Sequence, residues 1–363
     1  MPIPKLIIIG GFLGAGKTTL MAQARKTLER ENLRVGLITN DQAPGLVDTA
    51  LLGGGEAVEE LTGSCFCCDF GGFGEALAKL AGRGAEVILA EPVGSCVDLS
   101  ATVVQPLKDL AKGKYLLAPF SVVLDPARAR EALGTRESLL HKDALYILRK
   151  QLSEADRIVL NKVDLLGEGE ARDLSGKLAE AYPQAKVSRL SAKDGTGVGE
   201  WLGEALKSPD VPGGHLIEVD YDQYANGEAV LGWLNLAAET DFGRRGGRDA
   251  LSGFLDGLQK ALRAKKMTVG HVKVWWPCPE GSFVGNLIDD GGQAAIAKID
   301  GKATPGPILV NVRAEGEPGD LEKLVRETLS GVAAANNLEF TVKEAYCLKP
   351  GRPNPTHRYS KVV

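Results

Sequence analysis

The sequence KLIIIGGFLGAGKTTL, at residues 5–20, constrains the fold of this chain more than any other stretch. Its apolar run predicts a buried parallel strand, its glycines predict a tight loop, and the residues after the loop predict an amphipathic helix. Glycines at these spacings let backbone N–H groups curl around an anion at the start of a helix. The stretch therefore predicts a phosphate-binding loop, formed by Gly11, Gly14, Ala15, Gly16, Lys17, Thr18 and Thr19.

Two side chains of this loop carry the predicted chemistry. Lys17 is expected to reach the β- and γ-phosphates of a nucleotide, and the Thr18 hydroxyl is expected to bind Mg²⁺. A glycine-rich turn without a ligand is the alternative, but strand, loop and helix follow one another in the order that the motif requires. We therefore expect a nucleoside triphosphate site at this loop.

Length and composition limit the class of protein. A chain of 363 residues is long enough for about two domains, and 44% hydrophobic with 25% charged residues is typical of a soluble globular protein. The net charge of −4 argues against a nucleic-acid partner. No apolar run reaches the roughly 18 residues of a membrane span, and the sequence leads into the first strand without a cleavage signal. We expect a cytoplasmic protein without a membrane partner.

Short apolar strands alternate with helical patterns through the first half of the chain. This alternation predicts a mostly parallel sheet that helices cover on both faces. Beyond a Pro/Gly-rich stretch, the strand-like segments predict a largely antiparallel sheet. The expected fold class is an α/β P-loop domain followed by a smaller α+β C-terminal domain. The predicted boundaries are 1–208 for the first domain, 209–214 for a linker, 215–348 for the second domain and 349–363 for a basic tail.

Polar residues follow the predicted strands of the first domain, where ligands of parallel sheets bind. Glu91 follows one strand, so we expect it near the Mg²⁺ ion and the attacking water, with Gly94 where the backbone approaches the γ-phosphate. Asp41, which ends the second predicted strand, is the other candidate for the Mg²⁺ shell. A carboxylate that caps a helix is the alternative for both acids.

The sequence NKVD, at residues 161–164, follows a later strand. The Asp164 carboxylate can accept hydrogen bonds from N1–H and the 2-amino group of guanine, while Asn161 and the Lys162 stem hold the base. Adenine cannot supply these donors, and an unpaired buried polar group costs about 1–3 kcal/mol. Such a tetrapeptide alone is usually a solvated turn, but here it follows a phosphate-binding loop and precedes Ser191 and Ala192 at the next strand end. Guanine nucleotides, GTP and GDP, are the expected ligands.

Three cysteines lie close together in the sequence SCFCC. Cys65 and Cys67 would share a face of a strand, and Cys65 and Cys68 would align on a helix, so convergence of all three requires a turn. Flanking glycines make a turn plausible. Three thiolates suit Zn²⁺ or another thiophilic divalent ion with one position open. Inert buried cysteines and a redox pair are the alternatives. Cys96 has no partner at metal-ligand spacing, which favours a small core residue.

Five motifs in this order, GGFLGAGKTTL, NDQAPGLVD, SCFCC, EPVG and NKVD, resemble those of the CobW-type metallochaperone family of P-loop GTPases, of the SIMIBI class. The match covers roughly residues 5–205, and the cysteine insertion marks that family. The resemblance implies a GTP-hydrolysing metallochaperone: Mg²⁺–GTP shapes the three-cysteine site, and hydrolysis relaxes it so that Zn²⁺ or Co²⁺ passes to a client metalloprotein.

The resemblance also assigns roles and partners. Lys17, Asp41 and Glu91 are the expected catalytic residues, Thr18 and the two acids are expected to hold Mg²⁺, and the transferred ion is assigned to Cys65, Cys67 and Cys68. Slow turnover is expected without a partner, because no arginine finger is identifiable. The expected partners are a client metalloprotein or a corrinoid-related enzyme, and a second copy of the chain in a nucleotide-dependent homodimer. Two other functions stay open: a GTP-gated chaperone for a corrinoid-dependent enzyme, and a P-loop ATPase without metal transfer.

Overall fold

The computed structural model describes residues 2–45, 47–53, 55–241, 247–278, 281–288, 295–297, 306–336 and 339–363. The chain forms two compact units. The first unit comprises Met1–Gln42, Leu51–Gly227 and Arg352–Val363, and the second unit comprises Ala43–Ala50 and Glu228–Gly351. The predicted domains at 1–208 and 215–348, with the linker at 209–214 and the tail at 349–363, stay a prediction.

The first unit is built on a parallel sheet. Its strands are β1 (Lys5–Gly11), β2 (Val35–Asp41), β3 (Val58–Thr62), β4 (Val87–Ala90), β5 (Leu116–Leu117), β6 (Ser121–Leu124), β7 (Arg157–Leu160) and β8 (Lys186–Arg189). Their order is β3-β2-β4-β1-β6-β7-β8, with β5 also beside β1. Every described pair of neighbouring strands is parallel, as predicted. Strand β3 was not predicted, because its sequence VEELT carries three polar residues.

The central strand β1 is buried on both faces. Ile7 and Ile9 point to one face and are fully buried in a core with Leu20 and Trp201, while Leu6 and Ile8, on the other face, are 0% and 4% exposed. Burial of each such side chain contributes about 1.5–3 kcal/mol. The apolar run of the first strand therefore fixes it at the centre of the unit, with its glycine-rich end at the carboxyl edge of the sheet.

Helices join the strands of both units. They are α1 (Lys17–Arg30), α2 (Val47–Leu51), α3 (Phe70–Gly82), α4 (Gln105–Leu110), α5 (Pro126–Ala132), α6 (Lys142–Ser153), α7 (Glu168–Ala181), α8 (Val198–Lys207), α9 (Tyr221–Ala229), α10 (Gly247–Ala264) and α11 (Pro318–Asn336). Among the residues that the structure describes, no helix combines the length and the apolar character needed to cross a membrane.

The second unit is built on an antiparallel sheet. Its strands are β9 (Leu231–Asp241), β10 (Val269–Cys278), β11 (Gly281–Leu287), β12 (Ala295–Ala297), β13 (Gly306–Glu315) and β14 (Glu339–Leu348). Their order is β12-β11-β10-β13-β9-β14, and the described pairs are antiparallel. Helices α10 and α11 contribute Leu255 and Val325 to one apolar core with Val272 and Val310. The predicted smaller α+β unit is therefore confirmed.

Candidate functional site

The glycine-rich loop connects β1 to α1, and its backbone adopts conformations that a side chain would obstruct. Gly11 has a φ of 131°, and a Cβ there would lie 2.2 Å from the Val123 carbonyl oxygen. Gly16 has a φ of 94°, and a Cβ there would lie 2.5 Å from Nδ2 of Asn161. Only glycine fits both positions, so the loop lies close to the end of β6 and to Asn161.

Lys17 and Thr18 begin α1 and are 5% and 4% exposed. The Lys17 ammonium donates to the carbonyl oxygens of Gly11 and Phe12 at 2.9 and 3.3 Å, and lies 3.7 Å from the Glu91 carboxylate. The Thr18 hydroxyl donates to Glu91 at 2.9 Å. A buried ammonium beside the start of a helix is suited to bind phosphate oxygens. The loop therefore brings together the cation, hydroxyl and acid that the sequence predicts at a Mg²⁺–nucleotide site.

The two predicted acids lie at the ends of neighbouring strands. Glu91 follows β4, and its backbone N–H donates to the Ile38 carbonyl of β2 at 2.8 Å. Asp41 ends β2 and is 7% exposed, as is Glu91. Both carboxylates are thus buried at the carboxyl edge of the sheet. The Glu91 carboxylate contacts the phosphate-binding loop through Thr18 and Lys17.

Gly94, three residues after Glu91, lies against the phosphate-binding loop. A Cβ there would lie 2.7 Å from Leu13 and 3.1 Å from Nζ of Lys17. Its carbonyl oxygen accepts a hydrogen bond from Gln151 at 3.0 Å, which fixes the backbone in this position. A side chain at residue 94 would displace the loop, so the glycine allows the backbone to lie against it. The approach of Gly94 to the γ-phosphate stays a prediction.

Asn161 connects the phosphate-binding loop to the end of β7. Its amide nitrogen donates to the Ala15 carbonyl at 2.8 Å, and its oxygen accepts from the N–H groups of Lys162 and Ala192 at 2.7 and 2.9 Å. The Lys162 ammonium donates to the Gly14 carbonyl at 2.7 Å. Five of the predicted nucleotide-binding residues are therefore joined in one hydrogen-bonded group.

Asp164 lies in the turn after β7 and faces the end of β8. The Ser191 hydroxyl donates to its carboxylate at 2.8 Å, and the Lys193 ammonium lies 3.9 Å away. The Asp164 side chain is 18% exposed. Its carboxylate is therefore held in one orientation while remaining partly accessible. Thr19, also predicted to bind the nucleotide, is exposed on the first turn of α1.

A turn between β3 and α3 brings the three cysteines together. The N–H groups of Cys68 and Asp69 donate to the Cys65 carbonyl at 3.0 and 2.9 Å. The Sγ atoms of Cys65 and Cys67 lie 3.0 Å apart, those of Cys67 and Cys68 lie 3.9 Å apart, and all three lie within 4.8 Å of one another. Cys65 and Cys67 are buried and Cys68 is partly exposed. The convergence that the metal hypothesis requires is present.

Asn40, the penultimate residue of β2, holds this cysteine loop. Its amide nitrogen donates to the carbonyls of Leu61 and Ser64 at 3.2 and 2.6 Å, and its oxygen accepts from the Phe66 N–H at 3.1 Å. The Phe66 ring stacks on Phe73 of α3 with centroids 4.1 Å apart. The sequence indicated only a polar strand end at Asn40; its role depends on β3, which was not predicted.

Cys96 is 2% exposed, as expected of a core residue, but its thiol forms hydrogen bonds with Cys65 and Cys67. Spacing along the chain did not predict this contact, because Cys96 follows β4 whereas the other cysteines follow β3. The two strands are separated by β2 alone in the sheet. Their following loops therefore meet at the same edge.

Hydrogen bonds among the thiols set their protonation. Donation from the Cys67 and Cys68 thiols holds the pKa of Cys65 well below its usual range. The same contact with Cys65 raises the pKa of Cys67, and raises the pKa of Cys68 to about 11. These shifts favour a thiolate at Cys65 that accepts hydrogen bonds from the protonated thiols of Cys67 and Cys68. A thiophilic ion that binds all three sulfurs has to displace protons.

The segment Arg352–Val363 belongs to the first unit and packs on the cysteine loop. The Thr356 N–H donates to the Cys67 carbonyl at 2.8 Å, and its hydroxyl donates to the Cys68 carbonyl at 3.0 Å. The His357 ring packs edge-on against Phe70, with centroids 5.2 Å apart. Residues near the end of the sequence therefore support the turn that carries the thiols.

The same segment is anchored to the chain that follows Cys96. Arg358 donates to the carboxylate of Asp98 at 2.6 Å, and the Tyr221 hydroxyl donates to it at 2.8 Å. Asp98 is fully buried, and this burial raises its pKa. The Tyr359 N–H donates to the Ala101 carbonyl at 3.0 Å. The loops after β3 and β4 are thus linked through one C-terminal segment.

These features define a class of protein. A phosphate-binding loop lies between the central strand and the first helix of a parallel sheet, and Asn161 joins it to the residues after β7 and β8. This arrangement is that of the P-loop nucleotide-binding proteins.

The chain belongs to the CobW/HypB/UreG family, because residues 5–189 match the family's nucleotide-binding domain. The zinc chaperone YjiA of Escherichia coli is 27% identical over 195 residues, which cover 52% of this chain and 57% of that protein. The zinc chaperone CobW of Pseudomonas aeruginosa is 31% identical over 219 residues, 50% of this chain and 56% of that protein. The zinc-regulated GTPase metalloprotein activator 1 of Dictyostelium discoideum is 24% identical over 220 residues, 50% of this chain and 44% of that protein. The chain spans about half the length of these relatives.

Proposed function

We propose that this protein is a GTP-hydrolysing metallochaperone that binds a divalent transition metal at Cys65, Cys67 and Cys68 and delivers it to a client metalloprotein. Family membership supports the GTPase activity, and relatives named as zinc chaperones support a metal cargo. Zn²⁺ is the cargo that we favour over Co²⁺, since those names specify zinc.

One observation carries the proposal. Asn40 of β2 holds the cysteine loop, and Ile38 of the same strand accepts the Glu91 N–H, while the Glu91 side chain holds Thr18 of the phosphate-binding loop. A change at Thr18 therefore has a short route to the thiols, through Glu91 and the end of β2. This connection is the physical basis for coupling nucleotide state to metal binding.

The nucleotide-binding residues have the chemistry that GTP and Mg²⁺ require. Lys17 would exchange its two carbonyl partners for phosphate oxygens, and Thr18, Glu91 and Asp41 supply the hydroxyl and carboxylate oxygens that suit Mg²⁺. An ion held by these residues would supply positive charge to offset the charge that develops during phosphoryl transfer. We assign Glu91 to orient the attacking water, because its carboxylate lies beside both Thr18 and Lys17.

Asp164 is assigned to the guanine base. Its carboxylate is fixed by Ser191 and would accept from the two guanine donors that adenine lacks. With ATP the Asp164 carboxylate would be covered by the base and left unpaired, at a cost of about 1–3 kcal/mol, which corresponds to a preference for GTP of about 5- to 150-fold. Asn161, Lys162 and Ala192 are joined to the loop or to one another by hydrogen bonds and would position the base against the loop.

The thiol cluster fits a tetrahedral ion. With Zn–S bonds of about 2.3 Å, two sulfur ligands of tetrahedral zinc stand about 3.8 Å apart. The Cys67–Cys68 separation of 3.9 Å matches this value, and the Cys65–Cys67 separation of 3.0 Å has to widen by less than 1 Å. Cys68 is the more accessible of the three, which suits a site that exchanges its ion with a client.

The proposal is tested with the full chain, purified anaerobically. We expect binding of one equivalent of Zn²⁺, measured against a chromophoric chelator, with an affinity that differs between GTP and GDP. Cys67→Ala should abolish metal binding and retain GTP binding. Hydrolysis of GTP should be slow and should exceed hydrolysis of ATP.

Other results in these assays would favour one of the two alternative functions. Absence of metal binding with either nucleotide, together with GTP hydrolysis, would favour a GTP-gated chaperone of a corrinoid-dependent enzyme. ATP hydrolysis that outpaces GTP hydrolysis would favour an ATPase. Fast GTP turnover in the absence of any client would contradict the expected dependence on a partner. Size-exclusion chromatography with each nucleotide tests the expected homodimer.

A further inference from the structure

We propose that Cys96 is a fourth sulfur ligand of the metal site and gives the nucleotide a second connection to metal affinity, beside the route through Asn40. This inference rests on the proposed function, because it adds a residue to the site that carries the ion. It replaces the open position of a three-cysteine site with a fourth donor contributed by a different loop.

The Cys96 thiol lies beside two thiols of the cluster. The side chain is 2% exposed and forms hydrogen bonds with both Cys65 and Cys67, the two buried members of the cluster. A buried thiol beside two other buried thiols is a soft donor next to soft donors, the environment that favours Zn²⁺. Cys96 therefore approaches the ion from the buried side, while Cys68 lies at the partly exposed side.

Hydrogen bonds hold the backbone of Cys96 in place. Its N–H donates to the Val93 carbonyl at 3.0 Å, and its carbonyl accepts from Gln151 at 2.9 Å. The next N–H, of Val97, donates to the Tyr224 hydroxyl at 3.2 Å. A ligand on a fixed turn requires little reorganisation when the ion binds, which favours affinity.

The turn that carries Cys96 is connected to the phosphate-binding loop. Gln151 also holds the carbonyl of Gly94, and a Cβ at Gly94 would lie 3.1 Å from Nζ of Lys17. Cys96 is thus two residues from the backbone that borders Lys17 and five from Glu91, which holds Thr18. Phosphates and Mg²⁺ that recruit Lys17 and Thr18 have to alter these contacts. Any resulting shift of the turn moves the Cys96 sulfur relative to Cys65 and Cys67.

The test is X-ray absorption at the zinc edge on the full chain loaded with one equivalent of Zn²⁺, with Cys96→Ser and Cys96→Ala variants. We expect four sulfur neighbours at about 2.3 Å in the unmodified protein, and three sulfurs with one oxygen or nitrogen at about 2.0–2.1 Å in the variants. Chelator competition should show weaker Zn²⁺ binding by at least about tenfold. The ratio of Zn²⁺ dissociation constants with GTP and GDP should move toward one.

Cys347→Ser is the matched control, because Cys347 is an exposed cysteine of the second unit; its sulfur count and affinity should equal those of the unmodified protein. Retained GDP binding shows that each variant is folded. Two different replacements at Cys96 are used so that the test still stands if one variant does not fold. Three sulfurs in the unmodified protein, with unchanged affinity in both Cys96 variants, would overturn the inference and leave the proposed function intact. Failure of the unmodified protein to bind Zn²⁺ would overturn both.

Discussion

Replacement of Asn40 by alanine tests whether the cysteine loop depends on the strand end beside the nucleotide site. The variant loses three hydrogen bonds, to Leu61, Ser64 and Phe66. At a net value of about 0.5–1.5 kcal/mol each, their sum is about 1.5–4.5 kcal/mol. The Phe66–Phe73 stack and Thr356 still support the loop, so we expect a loss of about 2 kcal/mol. Metal binding then has to order the loop, and the Zn²⁺ dissociation constant should rise about 30-fold.

The assay is anaerobic competition between the protein and a chromophoric chelator for Zn²⁺. GDP affinity, measured without Mg²⁺, should stay within about twofold, because the loop and base contacts are untouched. Asn311→Ala is the control: this side chain is 1% exposed in the second unit, accepts from the Val47 N–H at 2.9 Å and donates to the Gly45 carbonyl at 3.1 Å. It should lower the free energy of unfolding by a comparable amount and leave Zn²⁺ affinity unchanged.

One result would refute this reasoning. If Asn40→Ala lowers the free energy of unfolding but binds Zn²⁺ as tightly as the unmodified protein, Asn40 stabilises the edge of the sheet without shaping the thiol site. The proposed route from Thr18 to the cysteines would then lose its last step.

Three further predictions concern the base, the thiols and the C-terminal segment. Asp164→Asn should reduce the preference for GTP over ATP by about 5- to 150-fold in competition binding, and an unchanged ratio would remove Asp164 from the base site. Zn²⁺ binding should release protons, since the pKa of Cys68 is raised to about 11 and its thiol is protonated at neutral pH. Affinity should therefore fall about tenfold per released proton for each pH unit of acidification. Calorimetry in buffers of different ionisation enthalpy measures that release, and identical heats would contradict it. Arg358→Met leaves the buried Asp98 carboxylate without its cation, and because the Arg358 side chain is 35% exposed we expect a cost of about 2 kcal/mol. Amides of 352–363 should then exchange hydrogen about 30-fold faster, and unchanged exchange would show that the ion pair does not hold the segment.

The fold of the first unit could be predicted because its signals are local. The apolar run at Leu6–Ile9 and the glycines after it specify a buried strand and a tight loop within a few residues. The sequence also placed polar residues after β2, β4, β7 and β8, and the parallel sheet brings those strand ends to one edge.

The support of the thiol loop could not be predicted in this way. Asn40 forms hydrogen bonds with β3 and the loop after it, and the alternation of apolar and polar residues in β3 is weak. Cys96 reaches Cys65 and Cys67 only because strands distant in sequence lie close in the sheet. The Thr356 contact joins residues 288 positions apart, and a basic, proline-containing tail gives no periodic pattern. Such contacts depend on the completed tertiary structure, so neither spacing nor composition records them.

The order of segments along the chain delays completion of the thiol turn during synthesis. At about 5–20 residues per second, a ribosome needs about 15–60 s to add the 288 residues that separate Cys68 from Thr356. During that interval Glu228–Gly351 of the second unit is made, while the cysteine loop lacks the Thr356 hydrogen bonds to its carbonyl oxygens. The thiol turn therefore gains its full set of hydrogen bonds only in chains that have been translated through residue 356.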